Sequence, residues 1–205
     1  MSQSSIDPGA VIRLTSAKSE ALVALAGGQP TQWRVEGRDL LWSGDPEHWG
    51  WHAPVLFPVV GQVRGGLVRI GGRSYEMPRH GFARTSMFRC LDRTQDTARL
   101  RLDATTAATT FPLPFELDVT VTLGPRSLSL EFAVSNPGQE VLPYAVGFHP
   151  AFPWPFDGGS QTDYTLRFEA AERTDVPVVT PDGLLGREVA RRSHHQRTLP
   201  VGDCL

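Results

Sequence analysis

The stretch Gly147-Phe148-His149-Pro150-Ala151-Phe152-Pro153-Trp154-Pro155 sets one imidazole among aromatic rings, on a backbone stiffened by three prolines. Proline holds the residue before it in an extended conformation, so His149 is expected on a fixed segment rather than on a helix. Histidine titrates closest to neutrality, which suits it to giving and taking protons. Aromatic faces beside it would suit the apolar C–H surface of a sugar ring. The same residues also describe a structural histidine at a strand end beside core aromatics, and residue types alone leave both readings open. A second group is His80-Gly81-Phe82-Ala83-Arg84, where a histidine and an arginine flank a glycine that permits close backbone approach. A surface turn with an exposed arginine reads equally well there. The third is Pro54-Val55-Leu56-Phe57-Pro58-Val59-Val60-Gly61-Gln62, an apolar run with a polar residue at its exit. Taken alone, it reads best as a buried strand bent at Pro58.

The remaining histidines carry less. His48 and His52 bracket Trp49-Gly50-Trp51 at a spacing that binds metal on a helix, but Gly50 and Pro54 make a helix poor here. No third ligand follows at short spacing, so no metal is expected. His194-His195 falls in a polar, basic stretch and reads as solvated. Cys90 and Cys204 lie far apart and form no Cys-x-x-Cys pair, which argues against a zinc knuckle or redox motif. There is no Gly-rich phosphate loop, no Gly-x-Ser-x-Gly elbow and no His-Glu-x-x-His.

These residues must be positioned by strands. The chain has 205 residues, 40% hydrophobic and 20% charged, with a formal net charge of -2, which fits one globular domain. Interspersed charge argues against a nucleic-acid footprint or a polybasic membrane patch and points to a neutral or small partner. No apolar stretch approaches the ~20 residues that cross a bilayer. The start shows no secretory signal. Two thiols with no pairing motif fit a reducing compartment, so a cytoplasmic location is expected.

Apolar residues recur with period two. Phe115, Leu117, Val119, Val121 and Leu123 face one way, with Glu116, Asp118, Thr120 and Thr122 opposite. Gly124-Pro125-Arg126 turns the chain, and Leu128, Leu130, Phe132 and Val134 repeat the alternation. Ala98, Leu100 and Leu102 alternate likewise, and Gly71-Gly72 marks a hairpin between residues 67–70 and 73–77. Near the start, Val11 to Leu14, Ala21 to Ala26, Thr31 to Val35 and Asp39 to Trp42 read as strands. No helix of three turns is expected. Residues 104–114 read as a loose connection, and Thr198 to Leu205 as the beginning of an unpartnered strand. Many short strands with turn-punctuated spacing predict an all-β, antiparallel sandwich.

In order, the three stretches resemble the aldose 1-epimerase (galactose mutarotase) family, and within it the LacX-like branch. That branch reads Pro-x-Leu-Phe-Pro-x-x-Gly, a hairpin, His-Gly-Phe-Ala-Arg, a strand region and Gly-x-His-Pro-x-Phe. Here these are Pro54 to Gly61, His80 to Arg84 and Gly147 to Phe152. Trp33 to Trp42 and Phe111-Pro112-Leu113-Pro114-Phe115 also look like the family, and the resemblance runs from about residue 10 to the end.

The resemblance implies a β-sandwich of the galactose mutarotase type (a supersandwich) that interconverts α and β anomers of a free aldose without metal or organic cofactor. Its partner would be a small sugar, with neither nucleic acid nor membrane involved, and the protein would be a monomer or homodimer. It implies that His149 is the general acid and that His80 lines the site near the ring oxygen. Gln62, Arg84 and Phe152 would contact the sugar, or a phosphate as in hexose-6-phosphate mutarotases. Two departures stand out. Many LacX-like members have Arg where this chain has Gln62, which bears on sugar preference. The family's general base is a late glutamate, and Glu169, Glu172 and Glu188 all fall too early in the motif order. Residues 1–205 are therefore expected to form one domain lacking the C-terminal part of the family's, with weak or no activity. A non-catalytic sugar-binding or regulatory sandwich is the main competing reading. A metal-dependent cupin-like barrel is a weaker one, because the histidines are too scattered.

Overall fold

Period-two alternation builds two antiparallel sheets whose apolar faces meet. The structure is a computed structural model that describes residues 9–107, 110–156, 158–170, 175–191 and 198–200. The chain divides into two compact units, Met1–Phe152 and Pro153–Leu205.

In the first unit, β1 (Val11–Ser16), β2 (Ser19–Ala24), β3 (Gln29–Val35) and β4 (Arg38–Asp39) form one sheet in sequence order. The chain then passes through β5 (Val55–Leu56) and a hairpin of β6 (Leu67–Ile70) and β7 (Arg73–Glu76). The second sheet has the order β11-β10-β9-β8, from β8 (Arg89–Arg93), β9 (Thr97–Asp103), β10 (Glu116–Leu123) and β11 (Leu128–Ser135). Finally β12 (Gly147–Phe148) returns to pair with β5.

The core lies between the sheets. Ile12, Leu14, Ala21 and Val23 from the first meet Leu100, Leu102, Leu117, Val119, Val121 and Leu123 from the second, with Phe57, Phe82, Phe88 and Phe115 packed among them. Each such side chain, fully buried, contributes about 1.5–3 kcal/mol relative to an exposed one. The expected alternation of β10 and β11 holds, with one exception. Asp118 was placed on the wetter face yet is only 5% exposed. Arg99 and Arg101 of β9 both donate to its carboxylate, and they hold its pKa below the usual carboxylate range despite burial. A carboxylate so paired can be buried where an unpaired one could not.

Residues 104–114 are less loose than expected. Ala107, Phe111 and Leu113 are buried, and the Phe111 ring packs 5.8 Å from Phe82 and 6.1 Å from Phe115. The fourth strand is shorter than expected, ending at Asp39. Helical structure among the described residues is limited to three 3-10 turns, at Arg64–Gly66, Ala83–Thr85 and Gln161–Asp163.

In the second unit, β13 (Thr165–Arg167) precedes a hairpin of β14 (Asp175–Val179) and β15 (Leu185–Arg191). The strand expected from Thr198 is present as β16 (Thr198–Pro200), and it has a partner after all: it pairs antiparallel with β13. Trp154 packs on Tyr164, with centroids 4.8 Å apart. His194-His195, Glu172 and Cys204 lie outside the described residues. No helix among the described residues is long and apolar enough to cross a membrane.

Candidate active site

One segment, residues 52–61, carries the site. On one edge it takes β12 in antiparallel register, Leu56 opposite Gly147 and Val55 opposite Phe148. The pairing continues beyond β12. The backbone N–H of Ala145 donates to Pro58 O (2.8 Å), that of His149 to Pro54 O (3.2 Å) and that of Ala151 to His52 O (3.0 Å). On the other edge Phe82 and Ala83 both donate to Phe57 O, at 3.0 and 3.2 Å, and His80 N–H donates to Gly61 O at 2.8 Å. Val55, Leu56 and Phe57 are all buried, as a near-continuous apolar run flanked on both sides should be. The three motifs spaced along the sequence thus meet around one strand.

Two local features allow this. Gly81 forms a parallel bridge with Phe57, and a Cβ on it would lie 2.1 Å from Phe57 O. Only glycine fits that approach. Gln29, just 7% exposed, uses its side-chain oxygen to accept the buried N–H of Ala53 at 3.1 Å. Ala53 precedes Pro54, whose carbonyl anchors His149. Gln29→Leu is expected to destabilise the fold by about 1–3 kcal/mol, the cost of orphaning a buried donor. Urea denaturation measures it.

His80 adopts a left-handed backbone, φ +67, and is half-buried. Its Nδ1 accepts a hydrogen bond from Gly61 N–H at 3.0 Å, so the neutral ring carries its proton on Nε2 and offers it as a donor. Burial lowers its pKa below the ordinary 6.5, and the charges of Arg84, Arg79 and His149 push the same way. Protonating Nδ1 would also break the bond from Gly61. The unfolded ring therefore takes up a proton at higher pH than the folded one. The stability this confers is complete above about pH 6.5 and is lost as pH falls from there through the folded value. Urea midpoints measured from about pH 8 to about pH 5 should show this loss, and His80→Gln should remove His80's part of the slope.

His149 is exposed, and its ring lies 5.3 Å from Trp49 at an interplanar angle of 45°. Phe148 packs on Phe132 at 6.0 Å, Trp154 belongs to the second unit and Phe152 is 46% exposed. Arg84 is half-buried. It donates from Nη2 to Arg79 O at 2.9 Å and lays its guanidinium 4.9 Å over the Trp51 ring, while its Nε is buried with no hydrogen-bond partner. Burial lowers its pKa, with Arg79 adding to the shift. Gln62 directly follows Gly61, the backbone partner of His80. It lines an open hollow of about 540 Å³ with Gly65, Gly66, Leu67, Glu76, Met77 and Pro78, and none of His80, Arg84 and His149 lines that hollow.

Trp49, Trp51 and Gln29 were not anticipated. The two tryptophans were legible only as the spacer between His48 and His52, and those histidines do separate jobs. His52 Nδ1 donates to Trp42 O at 3.0 Å, and His48 Nδ1 lies 3.3 Å from Asp45. Among the described residues, no group of three His, Cys, Asp or Glu is placed to hold a metal ion.

Residues 10–196 match the aldose 1-epimerase family. The chain belongs to that family. The plasmid-encoded LacX protein of Lactococcus lactis subsp. lactis is 33% identical over 171 residues, which cover 78% of this chain and 56% of LacX. The chain thus spans little more than half the length of this curated relative. Among solved structures, a galactose mutarotase related enzyme from Lactobacillus acidophilus superposes with a TM-score of 0.83 at 25% identity, over 96% of this chain and 66% of that one. A galactose mutarotase-like protein from Lactobacillus casei ATCC 334 gives 0.82 at 28% identity, over 93% and 67%. The all-β antiparallel fold is therefore of the galactose mutarotase type.

Proposed function

We propose that this chain carries the proton-donating side of an aldose 1-epimerase site, which opens and recloses the ring of a free aldose. The observation that carries the reading is the bracing of residues 52–61 on one edge by the His149 segment and on the other by the His80 segment. His149, exposed at the end of β12, donates the proton that the ring oxygen takes up as the C1–O5 bond breaks. His80, neutral with its proton on Nε2, donates a hydrogen bond near the ring oxygen and so orients it. Arg84 contacts a hydroxyl. Loss of the anomeric hydroxyl proton yields the open-chain aldehyde, and reclosure on the other carbonyl face inverts C1. Among the described residues no base is assigned to that proton, and solvent water takes it. Polarimetry of freshly dissolved α-glucose or α-galactose tests the proposal. The expected result is a rate above that of buffer which depends on His149. Calorimetric binding of aldoses without acceleration would favour a sugar-binding protein instead.

A further inference from the structure

The segment between β4 and β5 belongs to neither sheet, yet it is tied down at many points. Asp45 folds its start: its carbonyl accepts the N–H groups of His48 (3.1 Å) and Trp49 (2.8 Å), and its carboxylate accepts that of Glu47 (2.9 Å). The Trp42 indole N–H then reaches across the loop to the carbonyl of Trp49 at 2.8 Å. Trp49 is thereby held by both its backbone N–H and its backbone C=O. The whole turn is docked beside His149, because Trp42 N–H donates to Ala151 O at 2.9 Å and the His52 ring donates to Trp42 O at 3.0 Å. Gly44 makes room for that ring, since a Cβ there would fall 2.5 Å from it.

So restrained a turn presents two indoles, and each meets a different motif. Trp49 lies against His149 at 5.3 Å, and Trp51 lies under the Arg84 guanidinium at 4.9 Å. Both tryptophans are half-buried rather than packed into the core.

We propose that Trp49-Gly50-Trp51 is the aromatic wall of the sugar site, an inference that rests on the reading of His149 and Arg84 given above. Trp49 is a substrate-contacting residue, whose indole meets the C–H face of a pyranose while His149 addresses the ring oxygen. Trp51 is a positioning residue. A guanidinium stacked on an indole keeps its in-plane N–H groups free to donate, and beyond the Nη2 bond to Arg79 O the remaining Nη N–H groups of Arg84 can address a hydroxyl. The ligand class that follows is a closed pyranose ring with one hydroxyl directed to Arg84. An open-chain polyol such as galactitol lacks the rigid C–H face and would bind poorly.

Calorimetric titration with galactose, glucose and galactitol, alongside polarimetric KM and kcat, tests this on the chain and its Trp49→Ala, Trp49→Phe, Trp51→Ala, Arg84→Ala and Trp51→Ala/Arg84→Ala forms. Trp49→Ala should raise Kd and KM for the pyranoses roughly tenfold, and Trp49→Phe, which keeps a ring, should recover most of that. Trp51→Ala should weaken binding in the parent chain but add nothing in the Arg84→Ala background. Unchanged affinity in Trp49→Ala, or independent losses from Trp51 and Arg84, would overturn the wall. If pyranoses bind without accelerated mutarotation and the tryptophan effects hold, the catalytic reading falls and the wall stands. If mutarotation is accelerated but insensitive to Trp49, the reverse is true. A chain that neither binds nor turns over sugars removes both.

Discussion

His149→Asn is expected to lower kcat for mutarotation by about 10²–10⁴-fold, the usual contribution of a positioned general acid. Asparagine keeps a polar side chain but has no proton to give at neutral pH. The substitution should leave the fold alone. His149 is exposed, and the bond that places it is made by its backbone N–H to Pro54 O, which asparagine retains. Sugar affinity should therefore change little by calorimetry, and the melting temperature should match that of the parent. The polarimetric rate is the deciding measurement. A variant that keeps the parent's rate would remove His149 from the chemistry.

Gly81→Ala should have the largest effect on stability. The new Cβ would sit 2.1 Å from Phe57 O, 2.4 Å from Phe57 C and 2.7 Å from Pro58 N, all of them backbone atoms that cannot swing away. It would also have to adopt φ +73. A left-handed conformation costs a non-glycine residue roughly 1–2 kcal/mol, and overpacking adds about 1–3 kcal/mol, so a loss of about 2–5 kcal/mol is expected. Gly72→Ala is the control. Its φ is +77, but nothing lies within 4 Å of the added Cβ, so only the conformational part should appear. Urea midpoints for the two variants separate the steric cost from the conformational one. Because Phe82 and Ala83 share Phe57 O as acceptor, the alanine should also displace His80 and weaken sugar binding.

Residues that alternate were easiest to read. Leu117, Val119, Val121 and Leu123 lie on one side of β10 because burial on one face leaves a period of two in the sequence. Asp118 escaped that logic, since its burial depends on Arg99 and Arg101 of the neighbouring strand, and no local pattern reports a cross-strand partner. The same holds for the site. His80 and His149 could be named from motif order, but their meeting around residues 52–61 depends on pairings between segments about 25 to 90 residues apart in the chain. Trp49 was missed because its partner, His149, lies 100 residues on, and a Trp-Gly-Trp turn carries no period that marks one face. Gln62 could likewise be named from motif position, and it lines the hollow beside β6 and β7.

The sharing of residues 52–61 between two flanking segments has a dynamic consequence. The amides of Phe82, Ala83, Ala145, His149 and Ala151 all find their acceptors on that one strand. An opening that frees the strand frees all five, so their hydrogen exchange should be governed by a common event, unlike that of the β6–β7 hairpin, whose ladder is its own. Sugar held between His80 and His149 would then slow exchange at Ala145, an amide on the far side of β12 from His149. Protection at Ala145 would report occupancy of the site through the backbone alone.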